Sequence, residues 1–299
     1  GYPPPTKRAF EVSEEERQRL YEAKWKQGGT IGFLYSYTDL LLDEKANDDV
    51  AAFFRKQIRT IVRDAKTAQL LCPDDHPIGT KRLCLDTHYY ETFNRDNVTL
   101  VSSRKTPIQE ITETGLRTSA AEYEFDAIVF ATGFDAMTGA LAEIDIRTDA
   151  GANLKEHWAD GPLTHLGIMV AGFPNMFLIT GPGSPGVKSN MIVSIEQHTD
   201  WIADCLAHLR ASGANRIEAE ASAEAAWTQH VADVANATLY PRANSWYMGA
   251  NIPGKTRIFM PYVGGVQAYK KKCDAVAAAG YERSNRPRCR KSRRRNTAW

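Results

Sequence analysis

The hexapeptide Gly181-Pro-Gly-Ser-Pro-Gly186 satisfies G-x-G-x-x-G, the spacing by which a strand-to-helix turn brings backbone amides up to a pyrophosphate. An apolar run from Met176 precedes it, and a helical pattern follows from Ser189. As a pyrophosphate cradle the hexapeptide has two faults. Pro182 and Pro185 remove two amide donors from a loop whose use would be donation. The acidic residue expected about 20 positions further on, at the end of the next strand, falls inside a long helix, near Asp200 and Asp204. Two other readings stay open. The turn joins strand to helix and does nothing else, or it offers the positive helix end at Ser189-Asn190-Met191 to a ligand with partial negative charge, such as the carbonyls of a flavin ring.

Three further places carry suitable residue types. Lys81-Arg82 pairs a compact cation with a planar fork of donors that stays protonated; by residue type alone it also reads as a solvated surface pair. Ala131-Thr-Gly133 ends an apolar run with small residues, either to let a ligand approach the backbone or because the strand end is tightly packed. Trp246 lies in the turn-rich stretch from Pro241 to Gly265, where composition alone makes it a core or surface aromatic. Asp135 is read as a turn cap, and the histidines on one helix, His198 and His208, as structural. No histidine or cysteine pair has metal-ligand spacing, so no metal is expected.

The elements that must position these residues change period along the chain. Ser13-Glu-Glu-Glu16 reads as a capping box opening a helix that stops at Gly28-Gly29. A second helix is predicted from about Asp48 to Leu71 and ended by Pro73. From Leu83 the stretches LCLDTHYY, NVTLVS, PIQEIT, GLRTS and YEFDAIVFATG read as strands, with Gly115 at a hairpin. FDAIVFA is apolar nearly throughout, as in a strand buried on both faces. LGIMVAGF and NMFLITG are further strand candidates, and RIEAE another. Helices follow over about Ser189–Leu209, with Ile192, Ile195, Trp201, Ile202, Cys205 and Leu209 inward, then about Ala221–Leu239 and from Val266 to near Gly280.

Composition bounds the class. The chain has 299 residues, 43% hydrophobic and 24% charged, which is ordinary for a soluble globular protein. Neither an 18-residue apolar run nor a secretory signal occurs, and the five scattered cysteines suggest reduced thiols, so a cytoplasmic protein off the membrane is expected. The net charge of +1 hides an asymmetry. Residues 282–299 hold eight of the 37 Lys/Arg and one of the 36 Asp/Glu, leaving 29 basic and 35 acidic residues in the body. A mildly acidic body has no reason to seek nucleic acid, and the basic tail is expected to be disordered.

The blocks KRLCLDTHYYETFNRDNVTLV, FDAIVFATGFDAMTGAL, LKEHWADGPLTHLGIMVAGFPNMFLITGPGSP, SNMIVSIEQHTDWIADC and SWYMGANIPGK, in that order, resemble the C-terminal half of Baeyer–Villiger monooxygenases of the cyclohexanone and phenylacetone type. The resemblance runs from about Ser13 to Glu282. It implies an α/β fold made of the returning halves of two dinucleotide-binding domains, for FAD and NADPH, plus a helical insertion: an incomplete fold. Residues 1–82 would be the insertion, 83–124 the returning part of the NADPH domain, 125–281 that of the FAD domain, and 282–299 the tail. Both Rossmann fingerprints and the F-x-G-x-x-x-H-x-x-x-W signature of the family are absent, so an N-terminal half is expected as the partner that completes cofactor binding.

The implied reaction uses NADPH, FAD and O2 to insert oxygen beside a ketone carbonyl, giving an ester or lactone. Negative charge persists at one place through several steps, and Arg82 aligns with the catalytic arginine that steadies it. By the same alignment Lys81 and Trp246 contact NADP, and Met191 lies by flavin and substrate. Val187 and Lys188 shape the ketone pocket, Lys188 being polar where relatives often have an apolar residue. Thr132 and Gly133 of the ATG end are assigned to cofactor approach. The alternatives are a flavin N- or S-oxygenating monooxygenase, not expected to reproduce the KRLCLDTHYYETFNRDNV block, and a truncated, inactive product.

Overall fold

The computed structural model describes residues 5–29, 31–281 and 289–291. The chain divides into two compact units, residues 1–133 and 134–299.

In the first unit, helix α1 (Glu14–Gln27) starts at Ser13, whose Oγ accepts from the Glu16 amide at 3.3 Å. The Glu16 carboxylate takes Lys7 at 3.2 Å. Gly28, at φ +72°, ends the helix in a conformation that suits glycine. The single helix expected over 48–71 is two: α2 (Glu44–Ile61) and α3 (Ala65–Leu71). Asp43 and Asp64 each accept from the amide three residues on, Ala46 at 2.9 Å and Thr67 at 2.7 Å. An aspartate inside an apolar periodic stretch thus opens a new helix by satisfying amides the first would leave. Tyr21, Phe33, Tyr37 and Phe53 form an aromatic core, with Tyr21 to Phe33 stacked at 5.7 Å. At its edge Asp49 accepts from Arg17 Nε at 2.8 Å and from the Tyr21 hydroxyl at 3.1 Å.

The same unit holds a three-stranded antiparallel meander, β1 (Ile108–Ile111), β2 (Gly115–Thr118) and β3 (Glu122–Glu124). Gly115 is obligatory: a Cβ there would lie 1.8 Å from the Tyr123 carbonyl oxygen. The other strand expectations in this unit do not hold. Leu83–Thr87 and Val98–Ser102 are irregular, and Tyr89–Thr92 is a turn of helix. Only the start of YEFDAIVFATG is a strand; residues 126–133 are irregular, with Val129 87% and Phe130 71% exposed. A run that is apolar on both faces becomes a strand only between sheet neighbours, and no described residue pairs with it as one.

The second unit packs α4 (Met191–Ala211), β4 (Ile217–Ala219), α5 (Ala221–Asn236) and α6 (Val266–Ala278) around one core. Trp201, Cys205 and Leu209 of α4 meet Trp227 and Val231 of α5 and Tyr269 and Cys273 of α6. Ile192, expected inward, is 61% exposed on the first turn of α4. LGIMVAGF is turn-like, with isolated bridges His165–Met169 and Ala171–Ala219, and NMFLITG is irregular; neither is a strand, although Ile168, Met169 and Val170 are fully buried. Within the tail expected to be disordered, Cys289–Lys291 form β5, antiparallel to β4; the remainder of 282–299 lies outside the described residues. Among the described residues no helix is long and apolar enough to cross a membrane.

Candidate functional site

The loop Gly181–Gly186 turns its polar backbone inward. The Gly183 amide donates to the Met260 carbonyl at 2.6 Å and the Ser184 amide to the Gly181 carbonyl at 3.2 Å. With two prolines and these two amides committed, the loop has little left to give a pyrophosphate. Two buried side chains hold its carbonyls: Thr164 Oγ1 donates to Pro182 at 2.7 Å and Trp227 Nε1 to Gly183 at 3.1 Å. Behind it a cavity of about 250 Å³ lies among Trp227, Val231, Ile258 and Phe259.

Gly183 is the tight point. Its φ is +83°, and a Cβ would stand 3.1 Å from both Thr164 Oγ1 and Trp227 Nε1. Gly183→Ala should lower the unfolding free energy by about 2 kcal/mol, from the left-handed backbone cost and the crowding. Urea unfolding monitored by circular dichroism measures this; an unchanged midpoint would contradict the geometry.

The loop's entry is held by a second network. Thr180, at φ +55°, donates its amide to His198 Nδ1 at 2.8 Å. Nδ1 is therefore unprotonated, so Nε2 carries the proton and faces the Tyr269 hydroxyl at 2.7 Å, which in turn donates to the Leu166 carbonyl at 2.6 Å. Burial pushes His198 down to about 4, and likewise His165. Because the folded value lies below the ordinary 6.5, the unfolded chain binds the proton more tightly. Stability is complete above pH 6.5 and is lost as pH falls toward 4, at up to about 1.4 kcal/mol per pH unit for each ring. Urea midpoints measured from pH 7 to 4 should fall more steeply than in His198→Gln.

Beyond the loop, Gly186–Lys188 forms a short 3-10 turn containing Val187. Met191 opens α4, whose cap Asn190 accepts from the Ile192 amide at 3.0 Å. Met191, Ile192 and Val193 are exposed, an uncovered apolar turn at the positive helix end. Lys188 is half-buried, and its Nζ lies 4.1 Å from the Tyr240 ring centre and 4.8 Å from that of Tyr247. Trp246, in the 3-10 turn Trp246–Met248, packs on Tyr247 at 4.3 Å. Lys188 and Trp246 are thus brought together through Tyr247. The stretch after Trp246 is tied back by an ion pair between Lys255 and Asp135 and by Asn251 Nδ2 donating to the Phe134 carbonyl at 2.9 Å, so Asp135 is an ion-pair partner.

In the first unit Lys81 stands 3.9 Å from Asp75, which also pairs with Arg104 and accepts from His76 Nδ1 at 2.6 Å. The His76 contact, then Arg104, hold the Asp75 carboxyl well below the usual range. Arg82 follows with an exposed side chain. Thr132 and Gly133 are exposed too; Gly133, at φ +88°, has no atom within 4 Å of an added Cβ. Asp75, Thr164, Trp227 and the His198–Tyr269 pair were not singled out as site residues from sequence. No local pattern marks them, since in the second unit the contacts join residues 18, 44 and 71 positions apart.

No family model matches the chain. Cyclopentanone 1,2-monooxygenase of Comamonas sp. is 43% identical over 277 residues, 92% of this chain and 50% of that protein. The crystal structure of OTEMO with FAD and NADP matches at a TM-score of 0.91 and 37% identity, over 97% of this chain and 53% of that one. The chain is homologous to half of a Baeyer–Villiger monooxygenase. It spans about half the length of the curated relatives it matches. Phenazine N-monooxygenase PhzNO1 of Lysobacter antibioticus is 40% identical over 276 residues, 92% of this chain and 50% of that protein. Likeness at this level therefore extends to a protein named for N-oxygenation.

The OTEMO crystal structure holds FAD and NADP. An exposed apolar turn at a helix N-terminus, Met191–Val193, suits a flat ring with electron-rich carbonyls. The inward amides of Gly183 and Ser184 do not suit a pyrophosphate.

Proposed function

We propose that this chain supplies the arginine-bearing and substrate-loop portion of a Baeyer–Villiger monooxygenase, which uses NADPH, FAD and O2 to convert a ketone into an ester or lactone. The observation that carries the proposal is the likeness over more than nine-tenths of the chain to monooxygenases, including one with FAD and NADP bound. Within it, residues 1–82 are the helical insertion, 83–124 the returning part of the NADPH domain and 125–281 that of the FAD domain.

When bound, FAD supplies the reduced ring that activates O2 and NADPH the hydride. The chain's own residues do the rest. Arg82 holds a permanent positive charge where oxygen-centred negative charge develops, and its planar donors keep that oxygen oriented. Lys81, already steered by Asp75, meets the NADP ribose or phosphate. Trp246 donates its indole N–H to the same nucleotide. Met191 lines the flavin and ketone side of α4, Val187 and Lys188 shape the neighbouring loop, and Thr132 and Gly133 let the cofactor approach the backbone.

The relative named for N-oxygenation supports a second reading, oxygen transfer to nitrogen. Product analysis separates the two. The chain is combined with the portion of its relatives that it does not match, then given NADPH, O2 and either a cyclic ketone or a heteroaromatic amine. Lactone formation by mass spectrometry supports the first reading; N-oxide from the amine with unreacted ketone would replace it with the second.

A further inference from the structure

The resemblance places Lys188 by the ketone pocket, but its ammonium sits against two phenol rings of the following loop, Tyr240 and Tyr247. Tyr240 and Tyr247 are 4% and 0% exposed. Their rings meet edge to face at 6.0 Å, and Phe259 backs Tyr240 at 5.3 Å. The cage is built from three stretches of chain: the 3-10 turn Tyr240–Arg242, the 3-10 turn Trp246–Met248 and the segment around Phe259, which the Met260 amide binds to the Tyr247 carbonyl at 2.9 Å. Ring faces carry partial negative charge and attract a cation most where water is scarce. The site has the form of an ammonium-binding cage already filled by the protein's own lysine.

We propose that Lys188 is a positioning residue: its cation clasps Tyr240 and Tyr247 and thereby fixes the Trp246 turn against the Gly186–Lys188 turn. The two turns have separate backbone anchors, Lys188 amide to Pro185 carbonyl at 2.8 Å and Met248 amide to Ser245 carbonyl at 3.0 Å. The ammonium spans from one to the other. Trp246 leans on the Tyr247 ring on which the cation also sits, so the charge at position 188 governs how the indole is presented. An uncharged side chain of similar length would fill space in the cage without the electrostatic hold. Arginine would keep the charge and add a flat face for stacking.

The clasp rests on the second unit alone and holds whatever the chain oxidises; only its consequence for nucleotide contact through Trp246 rests on the proposed function. Amide hydrogen exchange by mass spectrometry on the full 299-residue chain tests it, with peptides covering residues 240–250 as the readout and α4 as the folding control. Lys188→Leu should speed exchange in 240–250 about threefold to tenfold, while Lys188→Arg stays within about twofold of the parent. Lys188→Ala should behave like the leucine variant, and millimolar ethylammonium should slow its exchange again where ethanol does not. That chemical rescue answers for the cation even if the leucine variant loosens α4 as well. Unchanged exchange in Lys188→Leu, or rescue by ethanol as strong as by ethylammonium, would overturn the clasp. If the clasp passes and no oxygenation product is found, the proposed function fails and the clasp stands.

Discussion

Arg82→Ala lowers ester formation by about 10²–10³-fold in the assembled enzyme, the scale of removing one preorganised donor from a developing oxyanion. NADPH-driven bleaching of the flavin should persist, because hydride delivery to the ring does not need a cation at the oxygen. The two readouts, rapid bleaching at the flavin's visible band and ester yield by gas chromatography, separate a charge that serves oxygen transfer from one that serves nucleotide binding. Lys81→Ala should do the reverse and raise the KM for NADPH, since Lys81 lies in the Asp75–His76–Arg104 cluster. Arg82→Lys should recover only part of the loss, for a lysine restores the charge without the planar fork. Ester formation undiminished in Arg82→Ala would remove Arg82 from the chemistry.

Purified alone, the chain should carry far less than one FAD per polypeptide, and adding the portion of its relatives that it does not match should restore a stoichiometric flavin spectrum. The reason lies in the surface. Val129, Phe130 and Phe134 are exposed to 87%, 71% and 87% in a run whose composition asks for burial. Covering each is worth about 1.5–3 kcal/mol, so docking of sheet neighbours on this stretch alone contributes several kcal/mol. The fingerprint-like turn offers little to a pyrophosphate, its Gly183 and Ser184 amides being spent on Met260 and Gly181. Absorbance near the flavin's visible maximum, read against protein concentration before and after mixing, measures the gain. A one-to-one flavin spectrum from the unmixed chain would sink this expectation.

The sequence by itself determined whatever depends on neighbours in the chain. The cap Ser13, the stop at Gly28 and the extents of α4, α5 and α6 follow from local amide satisfaction and 3.6-residue periodicity. So does the rejection of G-P-G-S-P-G as a pyrophosphate cradle, since proline has no amide wherever the chain places it. Motif blocks in one order were enough for the family. The split at Asp64 was legible too, as an aspartate three residues ahead of Thr67, but periodicity on both sides outweighed it in the expected single helix.

What tertiary structure decided is whatever needs a partner distant in sequence. FDAIVFA has the composition of a central strand yet is irregular and exposed, because strands are made by neighbouring strands and not by composition. Ile168–Val170 are buried as their composition asks but in turns, since burial does not prescribe a ladder. Thr164 and Trp227 reach the loop carbonyls of Pro182 and Gly183 across 18 and 44 residues, and His198 meets Tyr269 across 71. Lys188 turns from a polar residue in an apolar pocket into a cation between two rings for the same reason. A side chain's chemistry is local, but the atoms that use it arrive only when the chain folds.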